Sequence, residues 1–169
     1  VSLQGNTLSL NGIGFGNIHV GGSREQLLMK FERLSYWRYT RHLKTYKSIR
    51  QVAKRLASEL SFNETFDIWK QVVALSVLCE HFSKFDLKPQ TFVLIGDGHG
   101  FLGALIHRVF TQARIYSIDL PKVLVFQACT HKLADPNAST SIVGNGSTPS
   151  DISFVLPSDI ELIQEDVDC

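Results

Sequence analysis

The chain has 169 residues, of which 44 % are hydrophobic and 20 % charged, so it can bury one core but not the cores of two ordinary enzyme domains. The formal net charge is +1, which gives no argument for a nucleic-acid partner. The sequence has no apolar run long enough for a bilayer and no disulfide or zinc spacing among its three cysteines, so we expect a soluble, cytoplasmic protein without membrane contact or metal.

The first segment, residues 1–22, is a glycine-rich arm. Gly12, Gly14 and Gly16 alternate with apolar side chains, and glycine at every second residue favours loops or a weak hairpin over a stable strand. A phosphate-binding loop is the alternative interpretation, but no Lys-Ser or Lys-Thr pair follows these glycines.

Residues 23–88 are predicted to be a helical region. A capping box at Ser23 starts a helix that continues, with a break, to Leu60. Its basic residues are interleaved with aromatic ones, a pattern found in surfaces that bind RNA or acidic substrates and, more often, in solvated helix faces. A second capping box, Ser61 to Glu64, predicts a buried helix that packs against a sheet.

Residues 89–169 show the alternation of a β-α-β unit. The run Thr91 to Ile95 has the continuous apolar character of a buried parallel strand, and a helix and a second strand ending at Asp119 follow. Pro121 suits the first turn of another helix, which should end near Ala134. Further along we predict a loop, a third strand and a short helix, in that order: Asn137 to Ser150, Ile152 to Leu156 and Pro157 to Gln164. The fold class is therefore α/β, with a doubly wound parallel sheet.

The residues with chemical significance follow the first two strands of this sheet. Gly96, Gly98 and Gly100 come between a strand and a helix, where a nucleotide-like ligand meets the carboxyl edge of an open sheet. Glycine there permits unusual dihedral angles, close approach of a ligand and close packing of helix on strand. Asp119 should lie beside the same crevice, where its carboxylate can accept two hydrogen bonds from a ribose diol.

These positions resemble the class I S-adenosylmethionine (SAM) dependent methyltransferases, which have a Rossmann-like fold. The resemblance implies SAM as cofactor, with the glycine loop under its methionine part and Asp119 on its ribose. Asp97, His99 and Leu120 flank these positions and complete the predicted cofactor site, with backbone groups making most contacts in the loop.

A narrower resemblance is to a bacterial family of sugar O-methyltransferases, and its most distinctive part is Asp119-Leu120-Pro121. It implies methyl transfer to a sugar or similar hydroxyl and covers roughly residues 66–169. The chain departs from these patterns at Leu94, where an acid is common, and at His99, where the narrower family has an aromatic residue.

Two other functions stay open. Residues Gly98 to Gly103 satisfy the dinucleotide pattern G-x-G-x-x-G, but counting from Gly96, the glycine nearest the strand, puts Phe101 where the third glycine belongs. A non-catalytic interaction module with a basic helical arm is the second alternative.

The remaining expectations concern completeness and catalysis. Val1 is not a Met, and an apolar segment begins at Val167, so we interpret the chain as a fragment carrying the first half of the sheet. Exposed sheet edges would then favour a homo-oligomer. No catalytic residue is assigned among the histidines nearest the motif, which are His99, His107 and His131.

Overall fold

The protein has an α/β architecture with one parallel sheet. The computed structural model describes residues 2–4, 7–9, 23–144, 148 and 150–163. In chain order the elements are β1 (Ser2–Gln4), β2 (Thr7–Ser9), α1 (Ser23–Thr40), α2 (Tyr46–Glu59), α3 (Phe66–Lys84), β3 (Thr91–Ile95), α4 (Phe101–Val109), β4 (Arg114–Ile118), α5 (Pro121–Ala134), β5 (Thr140–Ile142), β6 (Ile152–Val155) and a 3₁₀ helix (Pro157–Leu162). Strands β1 and β2 pair as an antiparallel hairpin.

The parallel sheet has four strands in the order β3-β4-β6-β5. Phe92 pairs with Ile115, which pairs with Ile152, so the apolar strand residues form continuous rows across the sheet. The predicted strands at 91–95 and 152–156 and the strand ending before Asp119 are confirmed. The prediction of a loop over the whole of residues 137–150 is wrong, because Thr140–Ile142 pairs with β6 as the edge strand.

The core lies between the helices and one face of the sheet. Phe92, Ile115, Ile152 and Phe154 project to that face and pack with buried residues of α2, α3, α4 and α5. The core is thus continuous across the predicted boundary between residues 88 and 89. The other face carries a smaller cluster, and Leu162 of the 3₁₀ helix packs against it: Tyr116, Ile118, Val143 and Val155.

The helix boundaries agree with the sequence except at one capping box. The helix predicted from Ser23 breaks between Thr40 and Tyr46, as expected. Helix α3, however, begins at Phe66, and its N-cap is Thr65, whose side chain accepts the N–H of Ile68 at 3.4 Å. Ser61 does not cap α3, because it adopts a φ of +56° in the turn that ends α2.

Some predictions fall outside the described residues. These are the phosphate-loop alternative at Gly12, Gly14 and Gly16, and the segment from residue 164 to the C-terminus. Among the helices that the structure describes, none has the length and apolar character needed to cross a lipid bilayer.

Candidate functional site

The loop between β3 and α4 depends on glycines in the left-handed conformation. The φ angle is +74° at Gly96, +60° at Gly98 and +77° at Gly100, values that other residues adopt only with strain. A Cβ atom built on Gly96 or Gly98 would meet no other atom within 4 Å. The backbone at these two positions therefore faces open space, where a ligand can approach it closely.

Gly100 and Gly103 have a different role, because they face helix α5. A Cβ atom on Gly100 would lie 2.9 Å from the Cα of Gln127, and one on Gly103 would lie 2.9 Å from the ring of His131. Gly100 is also buried. These two glycines allow α4 and α5 to pack closely, so Gly100 lies behind the ligand-accessible part of the loop.

The side chain of Asp97 turns back onto the N-terminus of α4. Its Oδ1 accepts the N–H of Leu102 at 3.1 Å, and its Oδ2 accepts the N–H of Gly103 at 2.8 Å. First-turn N–H groups have no partner inside a helix and commonly bind anions. The carboxylate of Asp97 thus occupies the position where this helix would otherwise bind an anionic ligand.

Asp119 follows β4 and reaches the same loop. Its Oδ2 accepts Gln127 Nε2 at 3.0 Å and the N–H of Gly98 at 3.4 Å, and its Oδ1 accepts the N–H of Leu120 at 2.8 Å. The N-cap of α5 is Leu120, so Asp119 does not serve as that cap. Because two carboxylate oxygens offer about four acceptor positions, Asp119 can accept a further hydrogen bond from a ligand.

A cleft of about 410 Å³ opens between the loop and helix α3. This volume falls within the usual range of small-molecule sites. The predicted residues Gly96, Asp97, Gly98 and His99 line the cleft, whereas Asp119 and Leu120 are not in its lining and Asp119 joins the loop at Gly98. The other lining residues are Leu102 and, from α3, Asp67, Lys70, Gln71 and Ala74.

The three histidines near the motif have separate environments. His99 lines the cleft, with its ring 6.3 Å from that of Phe62, whereas the buried His107 lies 3.5 Å from the Asp135 carboxylate. His131 is 1 % exposed and packs 6.0 Å from the ring of Phe154. In the part of the chain that the structure describes, no group of three His, Cys, Asp or Glu side chains could hold a metal ion.

Asp97 in the loop and His131, on the helix that packs behind it, have shifted pKa values. Burial raises the pKa of Asp97 to about 7, and the nearby charge of Asp119 raises it too, although the N–H groups of Gly103 and Leu102 lower it. Burial lowers the pKa of His131 to about 4, and His107 contributes to the same shift. Asp97 therefore binds its proton more tightly in the folded chain than in the unfolded chain, and His131 binds its proton less tightly.

These shifts predict a pH dependence that Asp97→Asn removes. An acid with a raised pKa stabilises the fold at low pH, and this contribution is lost as the pH rises from about 4 to about 7. At 1.36 kcal/mol per pKa unit, the two units between pH 5 and the pKa of about 7 make the loss attributable to Asp97 about 3 kcal/mol by pH 8. Urea unfolding of both proteins at several pH values measures it.

The lowered pKa of His131 makes the stability of both proteins rise between about pH 4 and pH 6.5, which is opposite in sign to the Asp97 effect. Because this contribution is common to both proteins, the difference in the free energy of unfolding between wild type and Asp97→Asn isolates the contribution of Asp97. A constant difference in stability from pH 5 to pH 8 would show that Asp97 titrates normally.

Sequence reasoning missed Gln127 and the α3 side of the cleft. Gln127 is 0 % exposed, and its spacing of four and three residues from Val123 and Leu124 places it on the buried face of α5. An amide on a buried helix face is a detectable signal, because it needs a polar partner. The lining residues of α3 gave no such signal, since they face the loop only through tertiary packing.

Comparison with protein-family models, with curated proteins and with solved structures finds no match to this chain.

Proposed function

We propose that this chain binds SAM at the carboxyl edge of β3 and β4 and is the cofactor-binding part of a methyltransferase. The observation that carries the proposal is the arrangement around the open glycine backbone. Asp119 is held beside Gly98, while Asp97 fills the anion-binding end of α4. Acidic side chains beside the open backbone attract a cationic nucleoside, and a filled helix N-terminus leaves no binding position for an anionic one.

The arrangement disfavours a dinucleotide. A dinucleotide places its pyrophosphate at the helix N-terminus, on first-turn N–H groups. In this chain the N–H groups of Leu102 and Gly103 already bind the carboxylate of Asp97. A pyrophosphate would have to displace the Asp97 carboxyl group and would be repelled by Asp119, whereas a sulfonium cation is attracted by Asp119 and by the ionised form of Asp97.

The other parts of SAM also have suitable neighbours. Asp119 has acceptor capacity left for a hydroxyl group of the ribose, and Gln127 fixes its orientation from a fully buried position. Leu120 is 63 % exposed beside Asp119 and offers apolar surface to the purine ring. The open backbone at Gly96 and Gly98 leaves space for the chain that carries the sulfonium.

SAM supplies an electrophilic methyl group, and the part of the protein is to hold an acceptor oxygen in line with it. The acceptor that we propose is a sugar or similar hydroxyl, on the basis of the resemblance at Asp119-Leu120-Pro121. We also propose that the four parallel strands are the first part of a doubly wound, Rossmann-like sheet, of which helices α2 to α5 cover one face.

Calorimetry with S-adenosylhomocysteine, using NAD as the control ligand, tests the proposal. Saturable binding of S-adenosylhomocysteine without binding of NAD is the expected result. A folded chain that binds neither compound, or binds NAD alone, would contradict the proposal.

A second candidate function, an interaction module, has one observation in its favour. Tyr36, Trp37 and Tyr39 on α1 are exposed, and the Arg41 guanidinium lies 5.1 Å from the ring centre of Trp37. Exposed aromatic and basic residues together are typical of surfaces that bind single-stranded RNA. RNA retention that falls steeply with salt, in a chain that does not bind S-adenosylhomocysteine, would favour this function.

A further inference from the structure

Asp97 is an acid in the wall of the cleft that has no cation of the protein beside it. It lines the cleft between Gly96 and Gly98. None of the ion pairs among the described residues includes Asp97. Its two oxygens are held instead by the N–H groups of Leu102 and Gly103, at 3.1 and 2.8 Å. The charge of Asp97 is therefore not neutralised within the protein, and a ligand in the cleft is exposed to it.

The other charged and titratable groups that face Asp97 come from the loop, α3 and β4. In the loop, His99 lines the cleft beside it. Across the cleft, Asp67 and Lys70 of α3 neutralise each other in an ion pair of 2.6 Å. After β4, Asp119 accepts an N–H of the loop and brings a second negative charge close to Asp97.

Opposed influences act on the charge of the Asp97 carboxyl group. The N–H groups at the start of α4 favour its ionised form, whereas burial and Asp119 favour its neutral form, and the resulting pKa is about 7. Behind Gly103, His131 of α5 has a pKa of about 4 and is uncharged near neutral pH. A change in nearby charge therefore shifts Asp97 between its two forms near neutral pH.

From this arrangement we infer that Asp97 is the residue by which the site distinguishes the cationic cofactor SAM from its uncharged product, S-adenosylhomocysteine. A sulfonium over the open backbone of Gly96 and Gly98 lies next to Asp97, whereas a thioether there carries no charge. Direct contact is not required, because Coulomb attraction acts over several ångströms and is stronger in partly buried surroundings than in water. The inference rests on the proposed function and deepens it, since it assigns how that site selects cofactor over product.

The selectivity depends on pH with a defined sign. Above a pH of about 7 Asp97 is ionised and attracts the sulfonium, and at low pH it is neutral and the attraction is lost. An opposite charge at short range lowers the pKa of an acid by about 1–3 units, so bound SAM should bring the pKa of Asp97 to about 6. A shift of one unit corresponds to a tenfold difference in affinity.

Calorimetry with SAM and S-adenosylhomocysteine between pH 5 and pH 8 tests the inference on wild type and on two variants. Asp97→Asn cannot ionise and keeps one oxygen for an N–H of α4, so it represents the neutral acid at every pH. His99→Gln is the matched control, because it removes the other titratable group of the loop and leaves Asp97 in place.

For wild type, the ratio of SAM affinity to S-adenosylhomocysteine affinity should rise roughly tenfold from pH 5 to pH 8. His99→Gln should keep this rise, and Asp97→Asn should lose it. Near pH 6.5, SAM should release about half a proton more on binding to wild type than on binding to Asp97→Asn. Titrations in buffers of different ionisation enthalpy count these protons.

The amino groups of both ligands also titrate, and a second pair of ligands removes their contribution. 5′-Dimethylsulfonio-5′-deoxyadenosine and 5′-methylthioadenosine differ by one methyl group and one positive charge, and neither has an amino-acid group. The same rise is expected for this pair with wild type and His99→Gln, so the test does not depend on the folding of Asp97→Asn.

The contrary outcomes separate the two proposals. A ratio that is constant with pH in wild type, that rises equally in Asp97→Asn, or that stops rising in His99→Gln would overturn the role of Asp97, while binding of S-adenosylhomocysteine would uphold the nucleoside site. If the folded wild-type chain binds neither SAM nor S-adenosylhomocysteine at any pH, the proposed function fails and the selectivity fails with it.

Discussion

Asp119→Asn lowers the affinity of the chain for S-adenosylhomocysteine by roughly 10- to 150-fold. The variant keeps a side-chain oxygen for Gln127, whose fully buried amide needs that partner, and gives up the acceptor for the Leu120 N–H, which lies at an exposed position. It loses the charged acceptor that the ribose hydroxyl groups require. Hydrogen bonds to a charged group contribute about 1.5–3 kcal/mol, which gives this range of affinity.

Calorimetry with two ligands makes the measurement specific for the ribose contact. An analogue of S-adenosylhomocysteine with a 2′-deoxyribose already lacks one hydroxyl, so Asp119→Asn should reduce its binding less. Asp86→Asn, at an exposed turn after α3, is the matched control and should bind both ligands as wild type does. Equal losses for the two ligands would show that Asp119 acts on the loop rather than on the ribose.

Gly100→Ala destabilises the fold by about 2–5 kcal/mol. The left-handed φ of +77° costs a residue with a Cβ atom about 1–2 kcal/mol. The new methyl group would also lie 2.9 Å from the Cα of Gln127, and overpacking of this kind costs about 1–3 kcal/mol more. Urea unfolding, followed by circular dichroism, measures the change in the free energy of unfolding.

Gly98→Ala is the control for the packing contribution, because its φ is also left-handed, at +60°, and its methyl group would enter open space. Its cost in stability should be about 1–2 kcal/mol, while its methyl group should hinder the ligand over the loop. Equal destabilisation by Gly98→Ala and Gly100→Ala would mean that α4 and α5 are not in close contact at Gly100.

The sequence determined the local elements wherever the pattern was long or chemically distinct. The apolar run of Thr91–Ile95, the helix that starts at Pro121 and the break between α1 and α2 are all where the pattern placed them. The Ser61 capping box failed because the same residues can also end the preceding helix. Strand β5 was missed because a three-residue strand exists only through its pairing with β6.

The residues of the candidate site likewise fall into those that the sequence predicts and those that only the tertiary structure identifies. Glycine spacing and the acid after the second strand are local features, so Gly96, Gly98 and Asp119 could be proposed from the sequence alone. Which glycines face open space and which face α5 was decided by tertiary packing, in particular that of Gly100 against Gln127. The direction of the Asp97 side chain onto α4, and the placement of Asp67 and Lys70 across the cleft, were likewise decided by tertiary structure. The physical reason is that a residue's type and its local backbone follow from short-range sterics and hydrogen bonding, whereas its neighbours across the core depend on how whole helices pack.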